Sequence, residues 1–410
     1  MKLKSFFFIL VMLAIACPQT AYGMYTNFGT PLTFFPTPRY ATKDLKSVGA
    51  VASFYTSENS YNDMGQEVGL LAYQGTETLL KRIVDRSLPF NDSQSVGKAL
   101  ISGSLTLNSY AFWYVQNIGE HFYFTIVSAL SYIRLKNLLI TPVKNNCLRL
   151  SETEIDADTQ LKNYLAALDK IISAKSSCSI FNDATIGPNY FTIGYAQNFQ
   201  NFTHIDFIDF SIQAGFVLPE ENIEPQTTAL FDISTNDIRA IRLPMQASAT
   251  VGLYDWLNIG VTGTLMPYAS TIQKISMPTT RDNNLVFLPE QGLCTIQHRP
   301  FVFAGGYIEA EHFIPKVSLL AGFSYSKQFK TTYQSWDTKK FPNDIINAFP
   351  VHRPWEMAWL TFSAEFDGST DNRNNIPQFR FIYILPVYGK STFKTSAISG
   401  QINFNFGYSF

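Results

Sequence analysis

The sequence predicts an all-β fold, an antiparallel up-and-down barrel of about twelve strands, and three observations predict it. Segment after segment alternates apolar and polar residues, as at Ala358, Leu360, Phe362, Ala364 and Phe366, which places the apolar set on one strand face. The connections between such segments run long, short, long, short through most of the chain. Beyond the N-terminus no apolar run approaches the roughly 20 residues of a spanning helix; the uncharged stretch Ala99 to Gly119 is studded with Ser, Asn and Gln. Alternation dilutes the apolar residues of a strand that meets hydrocarbon on one side only, so the pattern fits a sheet that crosses a membrane. Hydrocarbon offers the backbone no water, so such a sheet must close and leave no edge.

At the N-terminus Lys2 and Lys4 precede an uncharged run from Phe6 to Ala16, and Ala21-Tyr22-Gly23 is a small-x-small end. These are the parts of a secretory signal peptide over residues 1–23, cleaved after Gly23. Cys17 leaves a lipoprotein cleavage site as the alternative, although Ala14-Ile15-Ala16 lacks the Leu such sites carry. Residues 24–46 read as a short periplasmic arm and 47–410 as the barrel.

The first strand falls at Gly49 to Tyr55. In the long loop that follows, Leu79, Leu80, Ile83 and Val84 repeat at helical spacing. Ser102 to Val115 sets Leu105, Leu107, Ala111, Trp113 and Val115 against Thr106, Asn108, Tyr110, Phe112 and Tyr114, with aromatics on both faces near its end. After a turn at Asn117-Ile118-Gly119, Phe122, Phe124, Ile126, Leu130 and Tyr132 form the next apolar face. Ser151 with Glu154 is a capping box, and Leu161, Leu165, Leu168, Ile171 and Ile172 follow as an amphipathic helix within Glu152 to Ala174. That helix either packs on its own loop or folds into the barrel mouth.

Strands follow at Tyr190 to Phe199, around Phe210 to Phe216, at Ala247 to Tyr254 and from Leu257 to Leu265. Phe301 to Glu311 and Val317 to Ser326 come next, then Ala358 to Phe366, Phe379 to Leu385 and the terminal strand. Glu220 to Arg242, Ser270 to Gln297 and Lys327 to Arg353 read as polar loops. The count is twelve, with ten or fourteen as alternatives because the first strand and the Gly368 connection carry the weakest patterns. An even count, short turns on one side and long loops on the other place both termini in the periplasm. Trp113, Phe199, Tyr254, Trp256, Phe366, Tyr408 and Phe410 crowd strand ends as interfacial aromatics do.

The last strand alternates Ile402, Phe404, Phe406, Tyr408 and Phe410 with Gln401, Asn403, Asn405, Gly407 and Ser409. A strand ending on a terminal Phe, with apolar residues at every second position before it, resembles the C-terminal signal of bacterial outer-membrane β-barrel proteins. The resemblance covers ten residues and implies delivery to the barrel-assembly machinery and insertion into outer-membrane lipid.

Loss of Lys2 and Lys4 with the leader moves the formal charge from -1 to about -3, and no basic stripe marks a nucleic-acid partner. Cys147 and Cys178 bracket the helical loop and would pair in an oxidising compartment, with Cys294 left over or pairing with one of them. No Cys-x-x-Cys occurs and the five histidines are scattered, so no metal or cofactor is expected. Strand parity turns Asp209, Glu309, Glu311, Glu365, Arg380, Asn403 and Asn405 into the lumen as pore-lining candidates. Glu309, Glu311 and His312 are the most suggestive cluster for chemistry, against the default that a watery lumen is polar. Arg134 falls on the lipid side, to meet lipid phosphates or to reach water.

Outer-membrane phospholipases carry a Ser/His/Asn constellation, and the chain has no His-x-Ser neighbourhood to match it. His204, Asp206 and Asp209 are similar in composition to the Asp and His of outer-membrane proteases, but fall at a short turn, the wrong rim. The expected function is a channel or porin-like transporter passing small solutes through a polar lumen, not an enzyme. The alternatives are a structural or surface-interaction barrel with a closed lumen and, third, an outer-membrane enzyme.

Overall fold

The computed structural model describes residues 24–25, 45–70, 99–142, 182–186, 189–200, 202–218, 221–222, 233–234, 240–277, 291–348, 354–367 and 377–407. Twelve long strands form one closed antiparallel barrel. They are β1 (Leu45–Ser57), β2 (Ala99–Ile118), β3 (Phe122–Pro142), β4 (Asn189–Gln200), β5 (Phe207–Leu218) and β6 (Met245–Leu253) in the first half. The second half is β7 (Leu257–Met266), β8 (Phe301–Ile314), β9 (Val317–Gln328), β10 (Trp355–Asp367), β11 (Pro377–Lys390) and β12 (Ser396–Gly407). Each strand pairs with its sequence neighbours, and β12 returns to β1 from Leu45↔Gly407 to Thr56↔Ser396, so the ring has no open edge.

One end of the barrel carries the tight turns. Gly119 (φ 72°), Tyr254 and Asp255 (φ 56° and 58°) and Lys316 (φ 71°) take left-handed backbone there, as turns of two or three residues between twisted strands require. At the same end β8 is bulged between Ala310 and Ile314, where His312 has φ 50° and its N–H donates to Ser318 Oγ at 3.1 Å. Asp206 Oδ2 accepts the Asp255 N–H at 2.6 Å and ties two neighbouring turns together.

The opposite end carries the long connections, and two of these hold more structure than a polar loop. Thr271–Ser276, Gln291–Gln297 and Thr332–Ser335 form a three-stranded sheet backed by a short helix, Asn343–Ala348. Asn347 and Asn343 fasten that helix: their Oδ1 atoms accept the Tyr333 and Ser335 N–H groups at 2.9 and 2.8 Å. Met277, Cys294, Ile296, Tyr333, Phe341 and Ile346 pack between them. A second small sheet joins Asn59–Tyr61 and Glu67–Gly69 to Thr392–Phe393. Met24–Tyr25, from the stretch expected as an N-terminal arm, pair in parallel with Ile233–Ser234. The expected leader, both expected loop helices, Cys147, Cys178, Tyr408 and Phe410 lie outside the described residues.

Alternation sorts each strand into an outer and an inner face. Phe112, Phe122, Ile193, Ile212, Val261, Ile308, Phe323 and Phe381 are exposed on the outside. An exposed apolar surface that circles the whole barrel is foreign to a water-soluble monomer and suited to lipid. Trp113 corrects one expectation. It is not an interfacial aromatic: at register with Gly49 its indole turns inward and lies over that glycine, where an added Cβ would collide with the ring. Leu105, Leu107, Ala111 and Val115 share its inward face, leaving Tyr110 and Phe112 outside. Phe199, Tyr254, Trp256 and Phe366 are exposed near the short-turn end.

Candidate functional site

The inner face encloses a cavity of about 400 Å3 lined by residues of nearly every strand. It has two unlike walls. On β2, β3 and β4 an apolar patch faces inward, with Thr125, Thr192 and Asn198 as polar neighbours: Trp113, Val115, Tyr123, Val127 and Tyr190 pack as one cluster with Val51 and Val217. Tyr123 lies across Gly194 as Trp113 lies across Gly49, and only glycine permits either approach.

From β5 round to β12 the inward positions that line the cavity are mostly polar. Ser211 and Ser248 hydroxyls are 2.7 Å apart, Gln213 Nε2 donates to Gln246 Oε1 at 2.6 Å, and the Thr250 and Tyr307 hydroxyls meet at 2.7 Å. Tyr307 in turn covers Gly260 on β7.

Charge concentrates toward the short-turn end. Arg380 of β11 stands opposite Glu365 of β10 and donates from Nε to Glu365 Oε2 at 2.5 Å, while its Nη2 lies 3.8 Å from Glu309 Oε1 of β8. Asn258 Nδ2 donates to Glu311 Oε2 at 3.0 Å and to Glu309 Oε2 at 3.4 Å. On the other side of Arg380, Gln378 Nε2 donates to Asp367 Oδ2 at 3.3 Å, Asn403 Nδ2 donates to Gln378 Oε1 at 3.2 Å, and Ser47 Oγ donates to Asn403 Oδ1 at 2.6 Å. Asp209 accepts from Asn198 Nδ2. Among the described residues the charged lining is therefore five carboxylates, Asp209, Glu309, Glu311, Glu365 and Asp367, against one guanidinium.

The structure thus places Asp209, Glu309, Glu311, Glu365, Arg380 and Asn403 on the cavity wall and joins Glu309, Glu365 and Arg380 in one network. Asn405 and Phe406 hold ladder positions opposite Ser47 and Lys46. Ile402 and Phe404 alternate with inward Gln401 and Asn403. Arg134 is exposed on the outer face of β3, its Nη2 donating to the Tyr132 hydroxyl at 3.0 Å. His204, Asp206 and Asp209 are not gathered: Asp206 serves the turn, Asp209 faces the cavity and His204 is exposed. Among the described residues no three His, Cys, Asp or Glu side chains group as a metal site. Cys294 is a free, buried thiol.

Two features escaped the sequence pattern. The apolar wall was signalled only by aromatics on both faces of β2, and Asp367 and Gln378 sit beside a connection too irregular to fix their parity. At the long-connection end, Met266, Phe301 and Phe303 are buried on the inner face with Tyr268 and Trp355 packed against them. The Phe301 and Trp355 rings are 5.9 Å apart.

No protein-family description matches the chain, and no curated protein resembles it in sequence. Solved structures do resemble it in fold. An outer-membrane channel of Pseudomonas putida F1 superposes with a TM-score of 0.53 at 9% identity, covering 91% of this chain and 100% of the channel. The translocator domain of the autotransporter NalP from Neisseria meningitidis gives 0.37 at 8% identity over 90% and 89% of the two chains. The P. putida toluene transporter TodX gives 0.32 at 9% identity over 90% and 92%. With the P. putida F1 channel the chain shares the β-barrel fold.

Proposed function

We propose that the protein is an outer-membrane channel that passes small solutes along the barrel axis and favours cations. The observation that carries this reading is the cavity's lining, in which the described residues supply five carboxylates and one guanidinium, set inside a closed barrel with an apolar exterior. A passing cation exchanges water for carboxylate and amide oxygens, and a passing anion meets the same field as repulsion. Arg380 spaces Glu365 and Glu309 and holds them in place. The leader, the terminal Ile402-to-Phe410 pattern and the short-turn end set toward the periplasm complete the proposal, with the barrel-assembly machinery and outer-membrane lipid as partners.

A second reading, a barrel with a closed lumen that acts through its loops, is favoured by one observation: the buried Met266, Phe301 and Phe303 at the long-connection end. Swelling of proteoliposomes in small polar solutes separates the two. The channel reading expects swelling that quickens in Phe303→Ala; vesicles that stay inert with wild type and variant alike favour the closed lumen.

A further inference from the structure

The outer wall of β9, β10 and β11 is layered along the barrel axis. Paired residues from the short-turn end read Val317, Phe366 and Phe379, then Leu319, Ala364 and Phe381, then Ala321, Phe362 and Tyr383, then Phe323, Leu360 and Leu385. The fifth row is Tyr325, Ala358 and Tyr388, and the sixth is Lys327, Glu356 and Lys390. From Val317 to Lys327 the strand rises about 34 Å at ~3.4 Å per residue, or roughly 25 Å along the axis once a tilt of about 40° is taken out. An outer-membrane barrel's apolar band is about 25 Å tall. The four apolar rows, from Val317 to Phe323, cover roughly 16 Å of that height, and the charged row stands roughly 25 Å from the first row, at the far edge of such a band.

The charged row is built rather than scattered. Glu356 Oε2 accepts from the Tyr325 hydroxyl at 2.6 Å and from Lys327 Nζ at 3.1 Å; Oε1 accepts from the Tyr388 hydroxyl at 2.9 Å and lies 3.2 Å from Lys390 Nζ. One carboxylate, with about four acceptor sites, is thereby filled. It offsets one of two ammonium charges, and each ammonium carries three N–H donors of which the carboxylate takes one. Lys327 also stands over the Phe329 ring at 5.6 Å and Lys390 over the Tyr388 ring at 5.7 Å, which limits where the two cations point. The result is a braced pair of cations with surplus positive charge at headgroup height, on a wall that is otherwise apolar.

We infer that Lys327 and Lys390, braced by Glu356, form a binding site for a phosphate group of an outer-leaflet membrane lipid. Charge complementarity selects an anion, and the apolar rows directly beneath take the acyl chains that a free anion lacks. The site rests on the outer wall facing lipid and on the proposed setting of the short-turn end toward the periplasm, and is independent of what passes through the lumen.

The test is native mass spectrometry of the detergent-solubilised full-length mature chain with diphosphorylated lipid A and with the same lipid dephosphorylated. Wild type is expected to retain the phosphorylated form at least about fivefold better, K327Q/K390Q to lose that difference, and K327R/K390R to keep it. Heat-modifiable gel mobility verifies folding of each variant; should the double glutamine variant not fold, K390Q alone, with a side chain 42% exposed, takes its place. Equal retention of phosphorylated lipid by the glutamine variant and wild type overturns the site. Displacement of the lipid by millimolar inorganic phosphate overturns its assignment to lipid. Detergent bound by the wild type, measured on the same sample, reports separately on whether the wall faces lipid at all.

Discussion

Arg380 and Glu365 occupy one register position on neighbouring strands, face the inside of the barrel together, and are joined by a hydrogen bond from the guanidinium Nε at 2.5 Å. Both side chains are largely shielded, at 10% and 20% exposure, so the pair is held by the wall and not by chance collision. Removing the guanidinium has two separable consequences. Arg380→Gln takes the guanidinium from a cavity wall that, among the described residues, carries five carboxylates, so cation preference should rise, read as a larger reversal potential across a salt gradient. Loss of the charge-assisted bonds should also destabilise the barrel by about 1–3 kcal/mol in denaturant unfolding. An unchanged reversal potential would remove Arg380 from the ion path.

Gly260→Ala tests the packing of the inner wall. Its Cβ would meet the Tyr307 ring, and moving that ring breaks the 2.7 Å contact between the Tyr307 and Thr250 hydroxyls. Overpacking of this kind costs about 1–3 kcal/mol, so the midpoint of heat modification on a detergent gel should fall. In a Tyr307→Ala background Gly260→Ala should cost almost nothing further, because the ring it clashes with is gone.

Cysteine labelling tests the sheet on the long-connection side. Burial pushes the Cys294 thiol up to about 11, so at pH 8 it is protonated as well as covered. Native protein should take up a thiol reagent on the order of a hundredfold more slowly than unfolded protein. Rapid native labelling would show that the cluster around Met277, Tyr333 and Phe341 is open. Unreduced peptide mapping of the same sample addresses the proposed Cys147–Cys178 bridge, which free thiols at both positions would exclude.

Lys394 and Glu67 give a pH test outside the barrel wall. Lys394 Nζ lies 2.6 Å from Glu67 Oε2; that bond holds the Glu67 carboxyl below its usual value of 4.5 and lifts Lys394 above 10.5. The lowered acid contributes stability that is complete above 4.5 and lost as pH falls through its folded value. The raised base contributes stability complete below 10.5 and lost as pH rises through its own. Both groups are partly exposed, so the effect is local and small. Amide protection of Thr392 and Phe393, corrected for intrinsic exchange, should weaken as pH falls below 4.5 in wild type and stay flat in Glu67→Gln.

The barrel was legible because its signals are local. Alternation fixed the faces of β3 through β12, and turn chemistry at Gly119 and Asp255 fixed where strands reverse. The parity of Glu309, Glu365 and Arg380 followed, though not their joining: Glu309 sits on β8 and Arg380 on β11, and only barrel curvature brings them to 3.8 Å. Trp113 was misread because β2 carries aromatics on both faces near its end, and period two cannot say which face meets lipid. The sheet around Cys294 was read as loop because its three strands come from two separate connections and their buried face holds one cluster with a six-residue helix. Pairing across such distances leaves no periodic mark.

The most direct measurement is planar-bilayer recording from the purified mature chain. The account predicts stepwise conductance with a reversal potential of cation-selective sign, larger in Arg380→Gln. A sealed bilayer from a barrel that is folded by its heat-modifiable mobility, or an anion-selective reversal potential, would contradict it.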